Sequence, residues 1–308
     1  MGNRQAPRVD EGKADLLGAG LVALTAAQFG SVVVLGKVIT DSGLSIPSFL
    51  AVRFAVAAVL LALAAIALRS PLGAARGEGW RLFLLGMFGY ASESALFFLA
   101  LRHGTAATAT LLFFTYPVFV SLLSAALGKG LPGKLLGIAL ACAVAGAALV
   151  VATGHGIQID GTGVLFAFAA AIAFSLYLIG ADVVLKGTSS LAGAMWVSGS
   201  AAAGLAILAV LSGNAHAPSG AHQWVPVLAT GLFTAGAFGC LFAGLRRLGA
   251  VRTSIVSASE PLAAATLAAI FLHQSIRPGV VAGGVLILAG AMIASVARRP
   301  PPEEAPVP

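Results

Sequence analysis

Apolar residues along the chain fall into ten long stretches that are separated by short, more polar segments. Each stretch is about as long as the ~20-residue helix that crosses a membrane. A chain inside lipid must satisfy its own backbone hydrogen bonds, so each stretch is predicted to be a helix. The predicted spans, numbered one to ten, are Leu16–Ile39, Ile46–Leu68, Trp80–Leu101, Gly104–Leu127, Gly133–Ala152, Gly161–Leu185, Leu191–Leu211, Gln223–Leu245, Gly249–His273 and Pro278–Ala297.

The pattern repeats, without a gap, at a constant step along the chain. Pro117 recurs as Pro261, 144 residues later, and Trp80 recurs as Trp224 at the same step. We therefore divide the chain into repeat 1 (16–152), a linker loop (153–160) and repeat 2 (161–298). The flanking segments are predicted to be a cytoplasmic N-terminal segment (1–15) and a disordered cytoplasmic tail (299–308).

Each repeat holds five predicted spans, which is an odd number. The second copy therefore starts on the opposite side of the membrane from the first, and the copies are inverted. The predicted fold is an all-α integral membrane protein, with ten transmembrane helices as two inverted five-helix repeats around a central cavity. Inverted repeats are typical of secondary transporters that work by alternating access. A channel or a non-transporting membrane scaffold remains an alternative, since these can also be duplicated.

Composition and charge narrow this picture. The chain is 59% hydrophobic and 9% charged, whereas a soluble domain carries about 25% charged residues, so a soluble fold is excluded. The net charge of +7 could suggest a nucleic-acid partner. However, fourteen of the eighteen Lys and Arg residues lie in alternate loops. That asymmetry is the positive-inside pattern and predicts cytoplasmic termini; attraction to anionic membrane lipid fits the same placement. No nucleic-acid partner is expected.

Ionisable residues inside predicted spans are candidates for function because buried charge in a membrane is costly. Glu260 lies near the middle of span nine, and its repeat equivalent in span four is Tyr116. Each precedes a proline, Pro117 or Pro261, which removes a helical hydrogen bond and predicts a kink. A plain kink, with Glu260 bonded to a neighbouring helix, is the alternative to a site.

Span three carries aromatic and polar residues at the three- and four-residue spacing that places them on one helix face. A packing face has no need of a carboxylate, so a cavity-lining role is favoured here. The other candidates, taken singly, are more typical of packing or of hydrogen bonds between helices. The predicted substrate-binding residues are Tyr90, Glu93, Ser94, Phe97, Tyr116, Tyr177, Phe238, Glu260 and Gln28.

Arg53 lies inside span two, where it could snorkel outward, pair with an intramembrane carboxylate, or bind a substrate carboxylate. A structural pair is favoured. Local structural pairs are also predicted for Lys37 with Asp41 and for Asp182 with Lys186, each one helical turn apart. Spans five and ten are rich in small residues, which predicts close-packed scaffold or dimer contacts.

No enzyme motif stands out. The histidines lack metal-ligand spacing, no phosphate-binding loop is present, and the two cysteines sit singly in apolar stretches. We therefore expect no catalytic residues, no metal and no cofactor.

Several short motifs resemble the EamA-type exporters of the drug/metabolite transporter superfamily. They are Ala-Val-Arg53-Phe54, Ala100-Leu101-Arg102, Tyr116-Pro117, Ser259-Glu260-Pro261 and Leu-Ala-Gly290-Ala. Within that family the chain is most similar to the bacterial aromatic amino-acid exporters. The family often carries Gly-Glu-Arg after spans four and nine. Here those places read Gly128-Lys129-Gly130 and His273-Gln274-Ser275, so no role of that carboxylate carries over.

The resemblance implies a helical basket in which spans one to four and six to nine surround the cavity, with five and ten outside. It also implies export of amino acids across the bacterial inner membrane, with aromatic ones preferred and with methionine and threonine as further candidate substrates. Export of other small metabolites or cationic drugs is the alternative. The expected partners are the small-molecule substrate and membrane lipid, with the protein a monomer or weak homodimer.

Overall fold

Helices make up nearly all of the part of the chain that the structure describes. The structure, a computed structural model, describes residues 8–104, 106–129, 132–154, 159–271 and 278–296. Its helices are α1 (Arg8–Asp41), α2 (Ile46–Ala67), α3 (Gly79–Arg102), α4 (Ala106–Phe113), α5 (Tyr116–Ser124), α6 (Lys134–Gly154), α7 (Gly161–Val184), α8 (Ser190–Leu211), α9 (Gly220–Ser257), α10 (Glu260–Phe271) and α11 (Pro278–Val296).

Six of the described helices are long and apolar enough to cross a membrane: α1, α2, α3, α7, α8 and α9. Shorter apolar helices cover Tyr116–Gly128, Lys134–Leu149 and Val281–Ala294. Helix α1 begins at Arg8, inside the segment predicted to be a cytoplasmic extension. Helix α9 is interrupted at Gly249, whose φ of 75° and ψ of 169° are non-helical. Glycine adopts such a backbone readily, and the interruption falls at the predicted boundary between spans eight and nine.

Helix starts recur at the repeat step because the capping residues recur. Ser45 precedes α2 and accepts a hydrogen bond from the Ser48 backbone N–H at 3.4 Å. Its equivalent, Ser189, precedes α8 and accepts from the Ala192 N–H at 3.2 Å. A serine side chain at this position satisfies one of the helix's unpaired N–H groups. The same local chemistry therefore begins the second helix of each repeat.

The two halves also pack alike. Helix α1 packs on the first part of α9, and the equivalent helices α7 and α3 pack on each other. Helix α1 contacts α10, just as α7 contacts α5. The remaining main contacts, α2 with α8 and α6 with α11, join equivalent helices from the two repeats. Exchanging the repeats therefore maps each of these main helix contacts onto an equivalent contact.

Helices α6 and α11 approach closely through glycines, at the small-residue spans predicted to be scaffold. A Cβ atom at Gly146 would lie 2.6 Å from the Gly283 carbonyl oxygen. One at the equivalent Gly290 would lie 2.7 Å from the Ala139 carbonyl oxygen. Both distances are too short for a side chain, so glycine is required at these two positions for the helix backbones to touch.

Loop contacts join the halves at the ends of the α2–α8 pair. In the α2–α3 loop, the Glu78 carboxylate accepts hydrogen bonds from the backbone N–H groups of Gly187 (2.7 Å) and Thr188 (2.9 Å) in the α7–α8 loop. Partial burial works against ionisation, but hydrogen bonds from the Thr188 hydroxyl and these N–H groups keep the pKa of Glu78 below its ordinary value. At the other end, the hydroxyls of Ser45 and Ser48 both donate to the Asn214 carbonyl oxygen at 2.7 Å.

Candidate functional site

A central cavity lies among helices of both repeats, namely α1 to α5, α7, α9 and α10. The cavity and the open solvent at its mouth together contain about 590 Å³ of space that no protein atom fills. None of the described residues of α6, α8 and α11 contributes to its lining. The lining residues are Thr25, Ala26, Phe29, Val32 and Val33 of α1, Arg53 of α2, Tyr90, Glu93, Ser94, Phe97 and Phe98 of α3, Phe113 of α4, Tyr116 of α5, Phe174 of α7, Leu241 and Ser257 of α9, and Glu260 of α10.

The structure brings six of the nine predicted substrate-binding residues to this lining. Four of them, Tyr90, Glu93, Ser94 and Phe97, come from one face of α3. A π-helical turn over Leu85–Tyr90 ends at the first of these four residues in the same helix. Such turns rotate the following residues relative to a regular helix and often occur at functional sites. Tyr116 and Glu260 complete the six.

Two other predicted residues lie one layer behind the lining. The Tyr177 and Phe238 rings lie 4.9 Å and 4.7 Å from the Tyr90 ring, measured between centroids. Both are buried, and they hold Tyr90 in place. The Tyr177 hydroxyl is buried without a hydrogen-bond partner among the described residues.

Gln28 does not line the cavity, contrary to the prediction. Its amide donates to the Leu24 carbonyl oxygen at 3.3 Å, and its side chain lies against Gly236 of α9. The lining face of α1 instead carries Thr25, Phe29 and Val32. These positions are spaced by four and three residues, as one helix face requires. Phe29 was missed because nothing in the sequence shows which face of an apolar helix turns inward.

Helix breaks deliver residues to the cavity at equivalent places in the two halves. Helix α4 ends at Phe113 and α5 begins at Tyr116, while α9 ends at Ser257 and α10 begins at Glu260. In each half a proline follows the first residue of the new helix. It cannot donate to the carbonyl four residues earlier, which belongs to Phe113 or Ser257. The residues that flank the two breaks all line the cavity: Phe113, Tyr116, Ser257 and Glu260.

The rings of Phe113, Tyr116 and Phe174 form an aromatic cluster in the lining. Ring centroids are 4.8 Å apart for Tyr116 and Phe174, and 5.2 Å apart for Phe113 and Tyr116. The Tyr116 hydroxyl donates to the Ser254 carbonyl oxygen at 3.3 Å, which ties α5 to α9. Offset and edge-to-face rings at these distances attract each other and offer a surface for a further ring.

Arg53, Glu93 and Glu260 form a charged cluster in the same lining. The Arg53 Nε donates to the Thr234 hydroxyl at 2.7 Å, and its guanidinium carbon lies 4.8 Å from the centre of the Phe54 ring. Among the described residues it has no direct ion pair, so its partner is a hydroxyl rather than the carboxylate that the sequence favoured. Its two Nη groups have no hydrogen-bond partner in the described part of the chain.

The two glutamates of the cluster differ in their hydrogen bonds. Glu93 is buried and accepts from the Ser94 hydroxyl at 3.1 Å. Glu260 is half-buried, and within the described ranges its carboxylate has no hydrogen-bond partner. Both carboxylates share the cavity with Arg53.

Of the predicted local pairs, only Asp182 and Lys186 have side chains that the structure describes, and neither lines the cavity. The side chains of Lys37 and Asp41 are not among those the structure describes. Asp182 is half-buried near the end of α7 and Lys186 is exposed just after it; their pairing stays a prediction. Within the described residues, no group of three or more His, Cys, Asp or Glu side chains is placed to hold a metal ion.

Comparison with known sequences decides the family. Residues 16–152 and residues 161–296 each match the sequence profile of the EamA-like transporter family. The chain belongs to the EamA-like transporter family. The two matched segments follow the two repeats, so each repeat is one EamA unit. Membership in this family, within the drug/metabolite transporter superfamily, makes the chain a multi-pass membrane protein.

A solved crystal structure shares the fold. It superposes with a TM-score of 0.74 at 20% sequence identity, covering 92% of this chain and 98% of its own. This similarity extends over almost the whole EamA-like chain and concerns the fold alone. No curated protein sequence gave a significant match.

Proposed function

We propose that this EamA-like protein exports amino acids, with aromatic ones preferred, from the cytoplasm across a bacterial inner membrane. The proposal is carried by one observation: a single cavity combines the aromatic cluster with the charged cluster. An aromatic amino acid has the three complementary parts, namely a ring, an ammonium group and a carboxylate. Small-molecule sites are usually built this way, from apolar surface with a few fixed polar groups.

Each part of such a substrate has a suitable partner in the lining. The ring packs on the aromatic cluster. The carboxylate meets the unoccupied Nη groups of Arg53, whose planar fork suits bidentate binding. The ammonium group meets Glu260 or Glu93, and Glu260 is the better candidate because its carboxylate lacks a hydrogen-bond partner among the described residues.

We propose alternating access between two inverted five-span repeats, ten spans in all, with both termini in the cytoplasm. The exchangeable packing of the two halves supports an internal two-fold relation, because equivalent helices make equivalent contacts. The interruption of α9 at Gly249 supports counting it as two spans. Equivalent helix breaks at the cavity provide a hinge candidate in each half.

The test is counterflow of labelled tryptophan in liposomes that contain the purified protein. We expect labelled tryptophan to accumulate transiently in vesicles preloaded with unlabelled tryptophan, and methionine or threonine to compete more weakly. The Arg53→Gln variant should lose most of this flux, whereas Arg102→Gln, an exposed arginine outside the cavity, should keep it. Equal flux in vesicles with and without protein would overturn the proposal.

Export of other metabolites or of cationic drugs is the second candidate, supported by two carboxylates facing one arginine. Competition by a quaternary ammonium compound without competition by tryptophan would favour it.

A channel, the alternative to a transporter, would instead show electrical conductance. Cysteines introduced at Tyr90 and Phe113 would then react with reagents from both sides at once, rather than from one side at a time.

A further inference from the structure

The charges that line the cavity do not balance. The described lining holds one positive group, Arg53, and two carboxylic acids, Glu93 and Glu260. With both acids ionised the cavity would carry one net negative charge inside a bundle surrounded by lipid. Uncompensated charge there is costly, so one proton shared by the two carboxylates makes the empty cavity neutral.

Other groups near the carboxylates do not change this count. Tyr90 of α3 and Tyr116 of α5 line the same cavity, and both are neutral as phenols. Helices α1, α6 and α11 also pack against α10, which begins at Glu260. Their described residues add no titratable or charged side chain to the lining. The balance therefore involves Arg53 and the two glutamates.

We infer that the charge of the cargo decides whether its export is coupled to a proton. An aromatic monoamine cation leaves in exchange for one proton, whereas a zwitterionic amino acid moves without one. The inference rests on the proposed function. Its structural basis is the charged cluster, with one arginine and two carboxylates beside an aromatic surface.

Charge and protons balance in each case. When a monocation enters from the cytoplasm, its ammonium group replaces the shared proton, which leaves to the cytoplasm. After the cation has left on the outside, an external proton rebinds and returns inward with the empty carrier. A zwitterion adds no net charge, because its carboxylate lies at Arg53 and its ammonium at one glutamate. The other glutamate then keeps the proton throughout the cycle.

A matched pair of cargoes tests the inference in liposomes that contain the full chain. The N,N,N-trimethyl derivatives of tryptamine and tryptophan share the indole ring and a permanent positive charge. They differ by one carboxylate. Neither crosses lipid as a neutral amine, so a trapped pH indicator reports only carrier-linked protons. The membrane potential is held at zero with potassium and valinomycin, and protein-free vesicles provide the background.

We expect the tryptamine derivative to leave the lumen more alkaline as it enters, with one proton released per cation. The tryptophan derivative should enter without a pH change. Cation entry without alkalinisation would overturn the inference, and so would one proton moved per zwitterion.

If tryptophan counterflow works but the cation does not move, the inference is wrong and the proposed function stands. Proton-coupled cation flux without tryptophan counterflow would leave the inference standing and reject the amino-acid substrate.

Variants separate the charge balance from folding. Glu93→Gln or Glu260→Gln leaves one carboxylate for Arg53, so no exchangeable proton remains. Either variant should lose cation–proton exchange, whereas tryptophan counterflow should fall but stay measurable, because the remaining carboxylate can still meet the ammonium group. Glu78→Gln removes a carboxylate outside the cavity and should retain one proton per cation. Unchanged proton exchange in either cavity variant would contradict the inference.

Discussion

Two equivalent segments, Phe113–Pro117 in repeat 1 and Ser257–Pro261 in repeat 2, share a backbone and differ in chemistry. In both, a helix ends, two residues make a turn, and a new helix begins just before a proline. Repeat 1 places Phe113 and Tyr116 at the cavity, where repeat 2 places Ser257 and Glu260. The comparison indicates that the repeat keeps the helix breaks alike, while substitutions at matched positions give the cavity an aromatic surface and a carboxylate.

The strongest way to break this comparison is to make the two segments alike. Glu260→Tyr copies the repeat 1 residue into repeat 2 and removes a carboxylate from the charged cluster. Loss of a charge-assisted hydrogen bond costs about 1.5–3 kcal/mol, so we expect tryptophan counterflow to fall roughly tenfold or more. Tyr116→Phe, which loses the hydroxyl that donates to the Ser254 carbonyl oxygen but leaves both carboxylates in place, should retain most of the flux. Wild-type flux in Glu260→Tyr would show that this asymmetry does not select the substrate.

A second test uses positions where the repeats agree in both sequence and role. Gly146→Leu and Gly290→Leu each force a side chain into the α6–α11 contact, and overpacking typically costs about 1–3 kcal/mol. We expect both variants to lower the melting temperature in detergent by similar amounts. Gly137→Leu is the control, since a Cβ there meets nothing within 4 Å. Unequal losses at the two glycines would argue against equivalent packing.

The aromatic side of the comparison is tested by Phe113→Ser, which copies the repeat 2 residue into repeat 1. Removing one ring from the aromatic cluster costs a bound ring about 0.5–1.5 kcal/mol in aromatic contacts. Tryptophan affinity in counterflow should therefore fall roughly two- to tenfold, with a smaller change for threonine, which has no ring. Equal losses for both substrates would point to general disruption of the cavity.

The smallest expected effect concerns a residue behind the lining. Tyr177→Phe removes a hydroxyl that is buried without a partner among the described residues, while leaving the ring that packs on Tyr90. Deleting an unpaired buried polar group is neutral or stabilising. We expect unchanged tryptophan flux and an equal or higher melting temperature. A clear loss of flux would instead assign the hydroxyl to substrate binding.

Part of the candidate site could be predicted from the sequence because intramembrane acids and prolines are conspicuous. Glu93, Glu260 and Tyr116 were identified by residue type, depth and repeat position, and the structure places them at one cavity. Gln28 and Phe29 show the limit. They are neighbours on an almost uniformly apolar helix, and amphipathic periodicity cannot assign the inward face when lipid surrounds the protein.

The sequence by itself determined the helical class, the duplication, the membrane location and the places where helices must break. These properties depend on local composition and on the missing N–H of proline, which act without distant partners. Tertiary structure alone decided that Arg53 bonds to Thr234, that Tyr177 and Phe238 stand behind Tyr90, and that one arginine and two glutamates share a cavity. These outcomes depend on which helix faces meet, and residues 181 positions apart, such as Arg53 and Thr234, become neighbours only when the helices pack.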